Sequence, residues 1–174
     1  METEHSLLVA AQLFIEDEKT CKVNYRASNV FIGDPAGGVR VNPPPFEVVD
    51  ELILDWLRVV NELPVGISPR EVLLAASYLM WQFLIIHPLN NGNGRFSAVL
   101  FDSILLAKGR MRVRPIYAAW RTQANRSAQT EKIHRVATDG EWREWVEFIL
   151  SCWASACLRD DSCKGARILS RVGD

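Results

Sequence analysis

The amino-acid sequence predicts an all-α fold, a helical bundle that carries one small β-hairpin. Three observations predict it. Apolar residues recur at helical spacing in several segments, most clearly Val48, Leu52, Ile53, Trp56 and Val60 within 47–61. The stretch 72–86 is apolar almost all round, as expected of a helix at the centre of a bundle. β-prone residues and turn chemistry occur together in one place only, 25–41.

Taken in order, segment 5–20 sets Leu7, Leu8, Ala11 and Ile15 at helical spacing. Val30-Phe31-Ile32, the turn-rich Gly33-Asp34-Pro35-Ala36-Gly37-Gly38 and Val39-Arg40-Val41 then read as an exposed hairpin. Pro43-Pro44-Pro45 stops it, because proline offers no N–H to a ladder. Ser68, Pro69 and Glu71 form a helix start, with Ser68 at the N-cap and Glu71 three residues on. Asn90-Asn91-Gly92-Asn93-Gly94 breaks the central helix. The next carries Phe96, Val99, Leu100, Ile104 and Leu105 and ends at Gly109. Further helices are expected near 116–123, 130–137 and 141–158, followed by a polar tail, 159–174.

At 174 residues and 48% hydrophobic, the chain can bury one sizeable core. A net charge of -1 gives no global pull toward nucleic acid or anionic membrane. The basic stretch Lys108-Gly109-Arg110-Met111-Arg112-Val113-Arg114 has no interleaved aromatic, so a solvated loop or target-recognising segment is expected ahead of a nucleic-acid patch. The six tryptophans read as core, and His5 and His134 as surface or structural. Cys21, Cys152, Cys157 and Cys163 form no C-x-x-C pair, which excludes the usual zinc spacings and suits a reducing compartment. Glu2 and Glu4 precede the first apolar stretch where a secretory signal wants positive charge, so the cytoplasm is the expected location. Segment 72–86, interrupted by Ser77 and Gln82, is short for a membrane span.

One segment gathers chemistry: His87-Pro88-Leu89-Asn90-Asn91-Gly92-Asn93-Gly94-Arg95. A histidine ends a buried helix, where its imidazole can be held. Two glycines allow backbone N–H groups to converge, and the loop feeds a helix N-terminus, a natural anion site. Arg95 adds a charged fork suited to phosphate, and Asn93 a neutral donor. Each feature alone would suit a tight turn with a hydrogen-bonded histidine. Together they join a phosphate cradle to a candidate general base.

This segment resembles the signature of the Fic/Doc family, His-Pro-Phe-x-(Asp/Glu)-Gly-Asn-Gly-Arg-x-x-Arg. The resemblance extends to 25–41, similar to the family's target-docking flap, to the proline run 43–45, and to 142–150, similar to its closing helix. It implies a Fic fold over 1–158, with the flap at about 25–41 and the signature loop at 87–95. It implies transfer of a nucleoside monophosphate, by default AMP from ATP, to a Ser, Thr or Tyr hydroxyl of a target protein, with Mg²⁺ as cofactor. His87 would be the general base, and Gly92, Asn93, Gly94 and Arg95 would hold the phosphates, with Arg95 also neutralising the leaving group. Val30, Phe31, Ile32 and Gly33 would dock the target. Asn91 stands at the family's metal-holding Asp/Glu, keeping a carbonyl oxygen but losing the charge a hard cation prefers. Leu89 replaces Phe and Ala98 replaces the final Arg. Two alternatives are a Doc-like kinase that transfers phosphate and a degenerate Fic domain that binds nucleotide or protein. The family's inhibitory motif, (Ser/Thr)-x-x-x-Glu-(Gly/Asn), does not occur, so an inhibitor, if one acts, is expected as a separate partner.

Overall fold

The computed structural model describes residues 3–15, 22–33, 39–111, 115–123 and 126–158, excluding the side chains of 121–123, 126 and 127. Among them are seven α-helices: α1 (Glu4–Ile15), α2 (Val49–Glu62), α3 (Pro69–Ile86), α4 (Asn93–Gly109), α5 (Tyr117–Gln123), α6 (Arg126–Asp139) and α7 (Trp142–Leu158), with a 3₁₀ turn at Phe46–Val48. One apolar cluster runs from Leu7 to Cys157. No described helix is long and apolar enough to cross a membrane.

α3 is the axis of the bundle, packing along α4 and touching α2, α6 and α7. Its start is the predicted capping box: Ser68 N–H donates to Glu71 Oε2 (3.0 Å) and Glu71 N–H to Ser68 Oγ (3.3 Å). Val72, Leu73, Ala76, Leu79, Met80, Phe83, Leu84 and Ile86 are buried on it. At about 1.5–3 kcal/mol for each large apolar side chain, that face holds the helix central. Two indoles clamp its neighbours to its backbone. Trp56 of α2 donates Nε1–H to Leu79 O (3.0 Å), and Trp145 of α7 donates to Ser77 O (2.9 Å). Buried Ser77 is satisfied within the helix by donating to Leu73 O (2.7 Å).

The expected β-hairpin is not seen. Among the described residues of 25–41, one antiparallel bridge joins two of the segment's own residues, Ile32 with Val41, closed by N–H···O bonds of 2.8 and 3.0 Å. In this register the next hydrogen-bonded pair on one side would be Val30 with Pro43, and proline has no N–H to give. On the other side Gly33 sits at φ +139, outside the extended conformation a strand requires. The turn residues 34–38 lie outside the described residues.

α1 is expected to reach residue 20 and is described to Ile15, with 16–21 outside the described residues. α6 is longer at both ends than the predicted 130–137. α4 ends at Gly109, but its left-handed cap is Arg110, at φ +51. A side chain at Gly109 would meet Val72 at 2.6 Å, so glycine serves close helix packing there rather than a turn.

Candidate active site

The site forms where α3 ends and α4 begins. His87 caps α3 in the left-handed conformation, φ +50 and ψ +54. This costs a non-glycine residue about 1–2 kcal/mol, so the surrounding structure must hold it. Its imidazole is half-buried, and Nδ1–H donates to Leu84 O at 3.3 Å. That tautomer puts the basic lone pair on Nε2.

The loop is locked from within. Asn93, 3% exposed, accepts from Leu89 N–H (2.9 Å) and donates to Leu89 O (2.8 Å). Its side chain therefore closes the turn, leaving its backbone N–H as the group available to a phosphate. Leu89 is buried in the core. Gly92, at φ +80, is the N-cap of α4. A Cβ there would overlap the side chain of Ile15, so the end of α1 presses directly on the loop. Gly94 faces open space, and Arg95 stands half-buried on the first turn of α4. The positive end of α4 thus meets the loop's N–H groups.

A second lock comes from 22–26, which runs antiparallel to 88–90. Arg26 N–H donates to Pro88 O (2.8 Å) and Asn90 N–H to Asn24 O (2.9 Å). Asn90 also donates Nδ2–H to Lys22 O (3.1 Å) and accepts from Asn24 N–H (3.3 Å). Arg26, 5% exposed, donates Nε–H to His87 O (3.0 Å), Nη1–H to Ser28 O (3.1 Å), and Nη2–H to Ile86 O (3.3 Å) and to Pro44 O. Burial pushes its guanidinium below the usual value, and Glu47 partly offsets this. Burial, reinforced by Glu4 and Asp50, pushes the Tyr25 phenol well above its ordinary value, so Tyr25 stays neutral.

A cleft of about 740 Å³ opens over the loop. His87 and residues 90–95 form its floor, and Val30, Phe31 and Ile32 one rim. Val30 and Phe31 are 37% and 43% exposed, and the Arg40 guanidinium lies 4.8 Å from the Phe31 ring centre. Gly33 is buried beside this rim and is not part of the wall. The structure therefore brings together His87, Asn91, Gly92, Asn93, Gly94, Arg95, Val30, Phe31 and Ile32. The opposite wall went unrecognised in the sequence: Tyr117 and Trp120 of α5, with Gln129, Thr130 and Ile133 of α6. Gln129 Nε2–H donates to Trp120 O (2.7 Å), tying these helices together. These helices carry no residue motif that would have marked them as lining a site.

Asp102 anchors that wall from α4, accepting from Ile116 N–H (3.1 Å) just before α5. Burial pushes its carboxyl up to about 7, against the smaller lowering effect of the Ile116 N–H. Ala98, where the signature has its final Arg, is fully buried. Lys108 and Arg110 cannot replace that charge, because α4 carries them about 20 Å or more from the loop. Lys108 instead donates Nζ–H to Asn61 O (3.1 Å) and Leu63 O (2.8 Å) at the end of α2. Arg112 and Arg114 lie outside the described residues. For a divalent cation the side chains of the floor offer neutral amide oxygens, among them that of exposed Asn91, and no carboxylate, and no three His, Cys, Asp or Glu side chains gather among the described residues. The loop's own residues do not fit a Mg²⁺ site, which wants carboxylate oxygens.

A probable protein adenylyltransferase of Aquifex aeolicus (strain VF5) is 33% identical over 92 residues, 51% of this chain and 25% of that protein. The crystal structure of a Fic family protein from Desulfovibrio desulfuricans G20 matches 89% of this chain and 46% of its own, with TM-score 0.67 and 21% identity. That likeness shows the fold. The chain spans about a quarter of the curated relative's length and under half of the solved structure's. The model of the Fic/DOC family matches residues 3–105, the part that contains the cleft floor, its flap-side rim and the helices holding them, and the chain belongs to that family.

Proposed function

We propose that this chain transfers AMP from ATP to a Ser, Thr or Tyr hydroxyl of a target protein, with residues 1–158 as the unit that carries the chemistry. One observation carries the reading: a histidine with its base lone pair on Nε2 shares a cleft with a glycine loop at a helix N-terminus and an arginine. The relative from Aquifex aeolicus, a probable protein adenylyltransferase, supports the same reaction class.

In this reading His87 Nε2 takes the proton of the acceptor hydroxyl. The hydroxyl oxygen then bonds to the α-phosphorus of ATP, the bond from that phosphorus to the bridging oxygen breaks, and pyrophosphate leaves. The backbone N–H groups of 92–94 and the Arg95 guanidinium take up the charge that develops on the departing phosphates. Mg²⁺ would enter only as part of the ATP substrate, since the loop offers it no carboxylate. The target lies along the flap rim. Ile32 directs its N–H and C=O to Val41, and alternation turns those of Phe31 outward, toward a second strand.

The test is intact-protein mass spectrometry of the chain and a cell lysate incubated with Mg²⁺ and each nucleoside triphosphate, with His87→Ala in parallel. The expected result is a gain of one AMP that vanishes in the variant. A gain of one phosphate would move the assignment to the kinase chemistry of Doc. Bound nucleotide without any modified protein would leave a binding module.

A further inference from the structure

We infer that Arg26 is a positioning residue that fixes the His87 imidazole and the flap as one rigid unit; the inference rests on the transferase reading for its consequence but not for its geometry. Four of the five guanidinium N–H groups are committed to backbone carbonyls. Two, on Ile86 and His87, belong to the end of α3. The other two, on Ser28 and Pro44, stand at the two feet of the flap. Those feet are closed a second time by Phe46 N–H donating to Asn29 Oδ1 (3.0 Å).

Two needs meet in this side chain. A helix C-terminus leaves carbonyls without intrahelical partners, and here the strained cap residue is the candidate base itself. The negative end of α3 also lies next to the loop proposed to hold the triphosphate, and a cation on its last carbonyls offsets that field. A planar fork reaches helix end and flap together. A lysine ammonium keeps the charge but is a point donor that cannot span both. A target strand laid on the flap is thereby delivered at a set distance from His87 Nε2.

Arg26→Lys separates placement from charge. The expected result is unchanged ATP affinity with kcat lowered about a hundredfold, the scale of a misplacement of about 1 Å. In ¹H–¹³C spectra the His87 Cε1 signal should move while those of His5 and His134 stay. In the unaltered protein, Arg26 Nε–H should exchange with solvent far more slowly than the Nε–H of exposed Arg58 or Arg143. That measurement stands even where the variant does not fold. Rapid Arg26 Nε–H exchange overturns the proposal, as does a lysine variant with native kcat and an unmoved His87 signal. If the unaltered protein modifies nothing, the transferase reading fails while the two spectroscopic results still decide whether Arg26 holds His87.

Discussion

Gly92→Ala places a methyl group where α1 meets the signature loop, and its cost can be worked from two terms. Gly92 sits at φ +80, where an alanine carries about 1–2 kcal/mol of strain. The new Cβ also overlaps the Ile15 side chain, with Cγ1 at 2.8 Å and Cγ2 at 2.9 Å, and overpacking of this kind costs about 1–3 kcal/mol. The single variant should lose about 2–5 kcal/mol in urea denaturation, the sum of those two costs. Ile15, 4% exposed, should lose about 2–4 kcal/mol when cut to alanine, because it leaves a cavity. In the double variant the methyl group introduced by Gly92→Ala enters that cavity. The strain remains, the overlap disappears, and the sum of the single losses should exceed the double loss by about 1–3 kcal/mol. Additivity to within about 0.5 kcal/mol would refute direct packing of α1 on the loop. The same cycle read by ATP binding tells whether that pressure shapes the proposed phosphate site: Gly92→Ala should weaken ATP, and Ile15→Ala in the same chain should restore part of the loss.

Two further outcomes follow from groups around the cleft. Asp102→Asn should stabilise the protein in a pH-dependent way, since a carboxyl raised to about 7 binds its proton more tightly when folded. Its stabilising contribution is complete below the unfolded value near 4 and is lost as pH rises through about 7. The variant's advantage should therefore be absent in acid and grow to at most about 4 kcal/mol above pH 8, the shift times 1.36 kcal/mol per pH unit. A pH-independent difference in thermal melts would show that burial does not govern this carboxyl. Asn91→Asp should tighten Mg²⁺ binding in the presence of ATP about tenfold, a gain of about 1.4 kcal/mol, because it returns a charged oxygen to the floor. Calorimetry showing no change would place Asn91 away from the metal.

Much of this protein is decided locally. The helix starts and apolar faces of α2, α3, α4 and α7 depend on residues three or four apart, and the capping box at Ser68 closes within four. The cleft floor was legible for the same reason: His87 to Arg95 is one contiguous run, and the structure keeps most of it on one face of the cleft. What escaped reading depends on partners without sequence identity. Arg26 binds carbonyls, which every residue owns, and three of its four lie 18 to 61 positions away. The hairpin fails through a register set by Ile32 and Val41, which brings Pro43 opposite Val30. The Asn93 side chain resembles a phosphate donor until folding puts Leu89 beside its amide. The far wall joins the site because α5 and α6 fold over a floor that follows another helix. Periodicity and caps act through the chain's own backbone and so determined the helices and the floor. The orientation of the His87 imidazole, the flap's shape and the closing wall depend on groups brought together by packing, and only the tertiary structure decided them.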